Sequence, residues 1–283
     1  MTGQGTGRIA FQGEPGAYGH QACADARPGM QALPCATFEE VFAAVRDGRA
    51  DLGMIAVENS TYGRVADVHQ LLPESGLHVV DEAFVRVHIN LLAVRGATLA
   101  DIRRVRAMDV LLGQARGFIA EHGFETMKWS DNAAGAREVA ALGDKAEAAM
   151  ASEIAGEIYG LDLLARHIED SDRNTTRFLI MAREADYSRR GDLGMITSFV
   201  FRVRNIPAAL YKAMGGFATN GVNMTKLESY MVGGQFTATQ FYAEVEGHPE
   251  DRGLKLALEE LGYFTDMVRV MGVYPQARRR HAE

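Results

Sequence analysis

The chain has 283 residues, 47% of them hydrophobic, which is enough to build two domains with sizeable cores and too apolar for a disordered chain. Its net charge of −7 rules out an extended basic face, and with it nucleic acid as the main partner, but leaves room for a small anion held by one or two local cations. No apolar run approaches the roughly 18 residues that span a bilayer, and the opening "MTGQGTGRIAFQG" lacks the apolar core of a secretory leader. A soluble, cytoplasmic protein with no membrane partner is expected. Cys23 and Cys35 have no metal-ligand spacing and read as small buried apolar residues. No metal and no cofactor are expected.

In chain order, "RIAFQG" (8–13) reads as a short buried strand, followed by the Gly-rich turn "GEPGAYG" and a helical run. Thr37 and Glu40 form a capping box for a helix over 37–48, with Phe38, Val41, Phe42 and Val45 on one face. "DLGMIAVEN" (51–59) is a second strand. The alternation predicts an α/β fold with parallel strands. Residues 78–94 read as one long strand or two in succession. Helices are predicted over 110–123, 132–143 and 153–165, the second capped by Asp131 or Asn132, with a short strand at 146–152. A strand begins at Phe178, with Arg177 next to its start, and 183–195 reads as a linker.

Beyond the linker the pattern changes. A strand (195–205) carries Ser198, Val200 and Arg202 on one face and Phe199, Phe201 and Val203 on the other. Pro207 opens a helix. Two strands flank a hairpin at Gly233-Gly234, and a helix and a last strand follow. This is a βαββαβ, ferredoxin-like unit. The closing "QARRRHAE" reads as a frayed basic tail.

Three segments set an apolar strand against small polar groups: "IAFQGEPGAYG", "GMIAVENSTYG" and "SDRNTTRFLI". Ligands of open α/β sheets bind beyond the carboxyl ends of strands. Asn, Ser and Thr supply neutral donors there, and Arg177 a bidentate cation. The constellation suits a small polyanion. The same residues also serve as caps and turn formers, and Arg177 has many acidic residues to pair with; both readings stand on spacing alone.

"NTTRF" (174–178), "VENSTYGRV" (57–65), "FQGEPGAYGHQA" (11–22) and "GVNMTKLES" (221–229) together resemble, in order and separation, the motifs of the prephenate dehydratase family with its C-terminal ACT domain. The resemblance runs over nearly the whole chain. It implies a two-lobed catalytic domain like a type 2 periplasmic binding protein over 1–184. Lobe one would hold about 1–84 and 171–184, and lobe two about 85–170. An ACT regulatory domain would fill 195–275. The implied reaction is decarboxylative dehydration of prephenate to phenylpyruvate in phenylalanine biosynthesis. Thr176 would be the catalytic donor, and Glu58, Asn59, Ser60, Gln114, Asn174, Arg177 and Phe178 the substrate contacts. Thr176 and Arg177 would both face the cleft. Arogenate dehydratase, or a non-catalytic anion-binding protein of the same fold, are the alternatives.

The family's Ser-His before the helix carrying the Gln is replaced here by Ala107 and Met108, and the Gly-Thr-Phe-Ser of the first turn by Gly16-Ala17-Tyr18-Gly19. Phenylalanine is the implied effector, at Ala208, Ala209, Leu210, Asn223, Glu228 and Ser229, in an ACT-mediated homodimer or homotetramer. Ala208 stands where the family has Gly, and Tyr230-Met231 where it has Arg-Pro.

Overall fold

The structure is a computed structural model that describes residues 7–231 and 238–281; the predicted hairpin tip at Gly233-Gly234 lies outside them. The chain divides into two compact units. The first comprises residues up to Val68 together with Ala83–Phe178, and the second His69–Glu82 with Leu179 onward.

The first unit opens with β1 (Arg8–Gln12), α1 (Tyr18–Ala26), β2 (Gln31–Cys35), α2 (Phe38–Arg46), β3 (Leu52–Asn59) and the two-residue β4 (Gly63–Arg64). β1 pairs in parallel with β2 and β3. The Thr37 side chain accepts the Glu40 N–H as the capping box predicts, while the Glu40 carboxylate takes the N–H of Ala36. Val41 and Val45 of α2 lie where a Cβ on Gly53 would fall, so the missing side chain lets helix and strand approach. After α3 (Ala66–Leu71) and β5 (His78–Arg86), the chain forms a second sheet. Its strands are β6 (Asn90–Ala93), β7 (Arg104–Ala107), β8 (Glu125–Lys128), β9 (Glu147–Ala151) and β10 (Asp162–Ala165), in the order β10-β6-β9-β7-β8. β7 runs parallel to β8 and β9, whereas β6 runs antiparallel to β9 and β10, so the sheet is mixed rather than all parallel. Apolar side chains cover both of its faces, which is why "EAAMA" is buried at every position. β11 (Thr175–Ala182) then returns beside β3.

Two predicted helices are cut short. The helix of 110–123 is split at Ala115 into α4 (Asp109–Gln114) and α5 (Arg116–His122). The Asp170 carboxylate, distant in sequence, accepts the N–H groups of Arg116 and Gly117 and so caps a new helix there. The helix of 153–165 stops as α7 (Glu153–Tyr159), because Gly160 turns left-handed at φ 68 and "DLLA" becomes β10. The helix of 132–143 forms as α6 (Asn132–Leu142), with Asp131 as its cap. Strands β2, β7 and β8 lack an apolar signal. In β7 the two arginines share buried Glu147, which meets Arg104 at 2.5 Å and Arg106 at 2.9 Å, while Arg104 also reaches solvent.

In the second unit β12 (Met195–Val203), α8 (Ala209–Thr219), β13 (Met224–Met231), β14 (Ala238–Glu246), α9 (Arg252–Phe264) and β15 (Thr265–Pro275) follow the βαββαβ order, with the sheet arranged β13-β14-β12-β15. Phe199, Phe201 and Val203 pack with Ala213, Phe217, Ala257 and Leu261 of the helices, while Val200 faces Tyr230, Tyr242 and Met271 on the other side. Gly272 pairs with Val79, and a Cβ there would lie 2.1 Å from the Val79 carbonyl oxygen, so only glycine fits. The tail is not frayed at Arg280. Its guanidinium grips buried Glu82 through two hydrogen bonds of 3.0 and 2.8 Å and reaches Glu244 at 3.1 Å, which outweighs the entropy of a loose end.

Candidate active site

The carboxyl end of β3 and the start of β11 lie side by side. Ser60 binds there through its backbone, donating N–H to the Thr175 carbonyl, and through its hydroxyl, which donates to the Arg173 carbonyl and accepts the Thr175 N–H. Asn59 is oriented without ambiguity. Its Oδ1 accepts the backbone N–H groups of Thr61 (2.9 Å) and Tyr62 (3.1 Å), and an N–H can only donate. Its Nδ2 therefore faces Asn174 Oδ1 at 2.7 Å and Thr176 Oγ1 at 3.0 Å. Asn174, itself buried, passes the direction on: its Nδ2 donates to Gln114 Oε1 at 2.8 Å. The far end of that chain, Gln114 Nε2, is buried and finds no acceptor among the described residues. Because Thr176 accepts from Asn59, its own hydroxyl proton is left to point elsewhere.

Thr176 lines a cleft of about 170 Å³ within the first unit. The walls include Gln12, Tyr18, Asp131, Asn132 and Ser152 among polar groups, and Phe38, Met54, Met108 and Phe178 among apolar ones. The Gly-rich turn closes one side: Ser152 Oγ donates to the Gly16 carbonyl, and Tyr159 OH donates to the Pro15 carbonyl at 2.8 Å. Gly16 holds φ 96, and a Cβ would strike Ala155 at 2.8 Å. Burial pushes Tyr18 well above the usual phenol range, helped by the Glu169 charge, and its OH donates to the His88 carbonyl. His20 Nδ1 accepts the Gly16 N–H, and burial lowers its pKa, so it is held neutral. Burial also raises Asp131, against the N–H bonds from Ala134 and Ala133.

Of the residues expected in the cleft, Thr176 and Phe178 line it, and Asn59, Asn174 and Gln114 form the chain behind Thr176. Arg177 does not line it. Successive strand residues face opposite sides, so Thr176 and Phe178 send Arg177 the other way. Its buried guanidinium pairs with Glu58 at 2.8 Å and lies 5.9 Å from the ring centre of Phe84. Glu58 thereby answers to Arg177 rather than to the cleft. Sequence reading missed Gln12, Tyr18, Asp131 and Ser152 as cleft residues. Asp131 was legible only as a helix cap, and Gln12 only as the end of a strand.

The family model for prephenate dehydratase matches residues 9–186. The chain belongs to the prephenate dehydratase family. A curated relative, the bifunctional N-acyl-homoserine lactone acylase/prephenate dehydratase of Komagataeibacter europaeus, is 51% identical over 94% of this chain and 95% of its own length. Arogenate dehydratase/prephenate dehydratase 2 of Arabidopsis thaliana is 34% identical over 95% of this chain and 72% of its own length. Among solved structures, one described as GqqA, a novel type of quorum quenching acylases, superposes with a TM-score of 0.92 at 50% identity, covering 97% of this chain and all of that one. The prephenate dehydratase of Arthrobacter aurescens in complex with L-Phe gives 0.86 at 26% identity, covering 95% of this chain and 90% of that one.

Where this member of the prephenate dehydratase family departs from the motif, the substitutes are accommodated. Ala107 is buried at the end of β7, and Met108 lines the cleft while its N–H bonds Asn132 Oδ1 at 2.8 Å. Of the residues named for an effector, Ala209 belongs to the core of the second unit and Leu210 packs against it. Asn223 and Ser229 are exposed, and Glu228 is half-buried, 3.6 Å from Lys226. Ala208 sits at φ 58, so the missing glycine is felt as backbone strain at the head of α8.

Proposed function

We propose that the chain is a dehydratase of prephenate-type cyclohexadienes, with Thr176 as the hydrogen-bond donor to the departing hydroxyl. The ring carboxylate leaves as CO2, the electrons of its C–C bond enter the ring, and the opposite C–O bond breaks. The leaving oxygen takes a proton and departs as water, and the ring becomes aromatic. A threonine hydroxyl is too weak an acid to release a free proton near neutrality, so it acts as an aligned donor within a relay, aid that is worth about 10²–10⁴ in rate. The observation that carries this is the Asn59 amide pressed on Thr176 Oγ1. It fixes the rotor and strengthens the hydroxyl as a donor toward the cleft. Phe178 and the apolar wall fit the ring face. Residues 195–275 are proposed to be an ACT domain that answers to phenylalanine in a dimer or tetramer, a reading supported by their βαββαβ order.

Acyl hydrolysis, in the name of a curated relative and in the description of a solved structure, is less well supported. The hydroxyls of Tyr18, Ser152 and Thr176 bond a carbonyl or an amide, and among the described residues none meets an imidazole or a carboxylate that would activate it as a nucleophile. The test is formation of phenylpyruvate from prephenate, read by its absorbance in alkali. Thr176→Ala is expected to lower kcat by about 10² or more while Thr176→Ser keeps a good share of it. Equal kcat for Thr176→Ala and the wild type removes Thr176 from the chemistry.

A further inference from the structure

Among the described residues lining the cleft, Asp131 is the one that carries a formal charge near neutrality, and that charge is negative. This is an odd choice for a cleft meant to hold anions. Asp131 Oδ1 caps α6 by accepting the Ala134 N–H at 2.9 Å. Oδ2 lies against the bare backbone of the opposite turn, 3.5 Å from where a Cβ on Gly13 would be. Arg137, the cation whose charge is felt at Asp131, is engaged by Glu14 at 3.3 Å. Among the described residues, no side-chain cation forms an ion pair with Asp131. The raised pKa is consistent with a buried carboxylate short of positive charge, with Glu14 adding to the shift and Arg137 opposing it.

Prephenate and arogenate share the ring, both carboxylates and the leaving hydroxyl. They differ at the side-chain α-carbon, which bears a ketone in the first and an ammonium in the second. Prephenate brings two negative charges and nothing to offset Asp131. Arogenate brings the missing cation. We infer that Asp131 is a specificity residue that recognises the α-ammonium of the aminated substrate, so that the cleft favours arogenate over prephenate. The inference rests on the dehydratase reading and adds to it the identity of the group at the α-carbon.

The experiment measures kcat and KM for both substrates with the wild type, Asp131→Asn and Asp131→Ser. Both replacements keep a helix cap and remove the charge. The ratio of kcat/KM for arogenate to that for prephenate is expected to fall about 10-fold or more in both variants, chiefly through a higher KM for arogenate. A purely structural role would lower both substrates together. A ratio unchanged within about 2-fold, or a wild type that prefers prephenate, overturns the inference and leaves the dehydratase reading intact. A wild type that turns over neither substrate sinks that reading, and the inference with it.

Discussion

Both amide protons of Asn59 are committed, one to Asn174 and one to Thr176, and both lone pairs of its oxygen are taken by backbone N–H groups. Asn59→Asp would replace the donor with an acceptor at nearly equal volume. Thr176 would then donate its hydrogen bond to the new carboxylate and present only lone pairs to the cleft. A loss of about 10² in kcat is expected, with secondary structure unchanged by circular dichroism; full activity would break the link between the two residues. Asp131 makes a second prediction at this scale. Its pKa is higher in the folded chain than in the unfolded one, through burial first. The folded state therefore binds the proton more tightly, and stability falls as pH rises from the unfolded value through the folded one. Asp131→Asn should be more stable than the wild type to urea near pH 7. That gain should vanish below about pH 3.9, where the side chain is protonated in both states.

At the scale of the element, the two-residue period of β11 separates chemistry from scaffolding. Thr176 and Phe178 reach the cleft; Arg177, between them, is buried against Glu58 and Phe84. Breaking such a pair strands a charge. Arg177→Met should cost about 2–3 kcal/mol of stability, discounted because Glu58 is 32% exposed. Adding Glu58→Gln should return part of that loss in a double-mutant cycle. KM for substrate should stay within about 3-fold of the wild type in the single variant. A large rise in KM without loss of stability would restore the role that the motif suggests for Arg177. The split of the 110–123 helix belongs to this scale too: its period is continuous in sequence, and only Asp170, more than fifty residues on, supplies the cap that interrupts it.

Across the whole molecule, each unit has its own apolar core. Both cysteines lie in the first unit and are free and buried. Burial pushes the Cys23 thiol up to about 12, and the Cys35 thiol up as well. Neither offers a thiolate near neutrality. The folded protein should therefore react slowly with an aromatic disulfide reagent at pH 8, and both thiols should titrate at once in denaturant. Fast native labelling would mean that the first unit opens far more readily than its packing implies. No helix among the described residues is long and apolar enough to cross a membrane.

The sequence by itself determined strands β1 and β3, the Thr37 cap of α2, helix α6, the βαββαβ order after the linker and, through short motifs, the family. These depend on neighbours a few residues apart, where period, caps and glycines act directly. Only the tertiary structure decided that Arg177 turns away from the cleft, that Asp131 enters it, that Asp170 breaks a helix, and that Arg280 is pinned by Glu82. Each of these is a pairing of charge or hydrogen bond between segments far apart in the chain. A buried polar group takes whichever partner the fold brings near, and one-dimensional spacing carries no record of which that is.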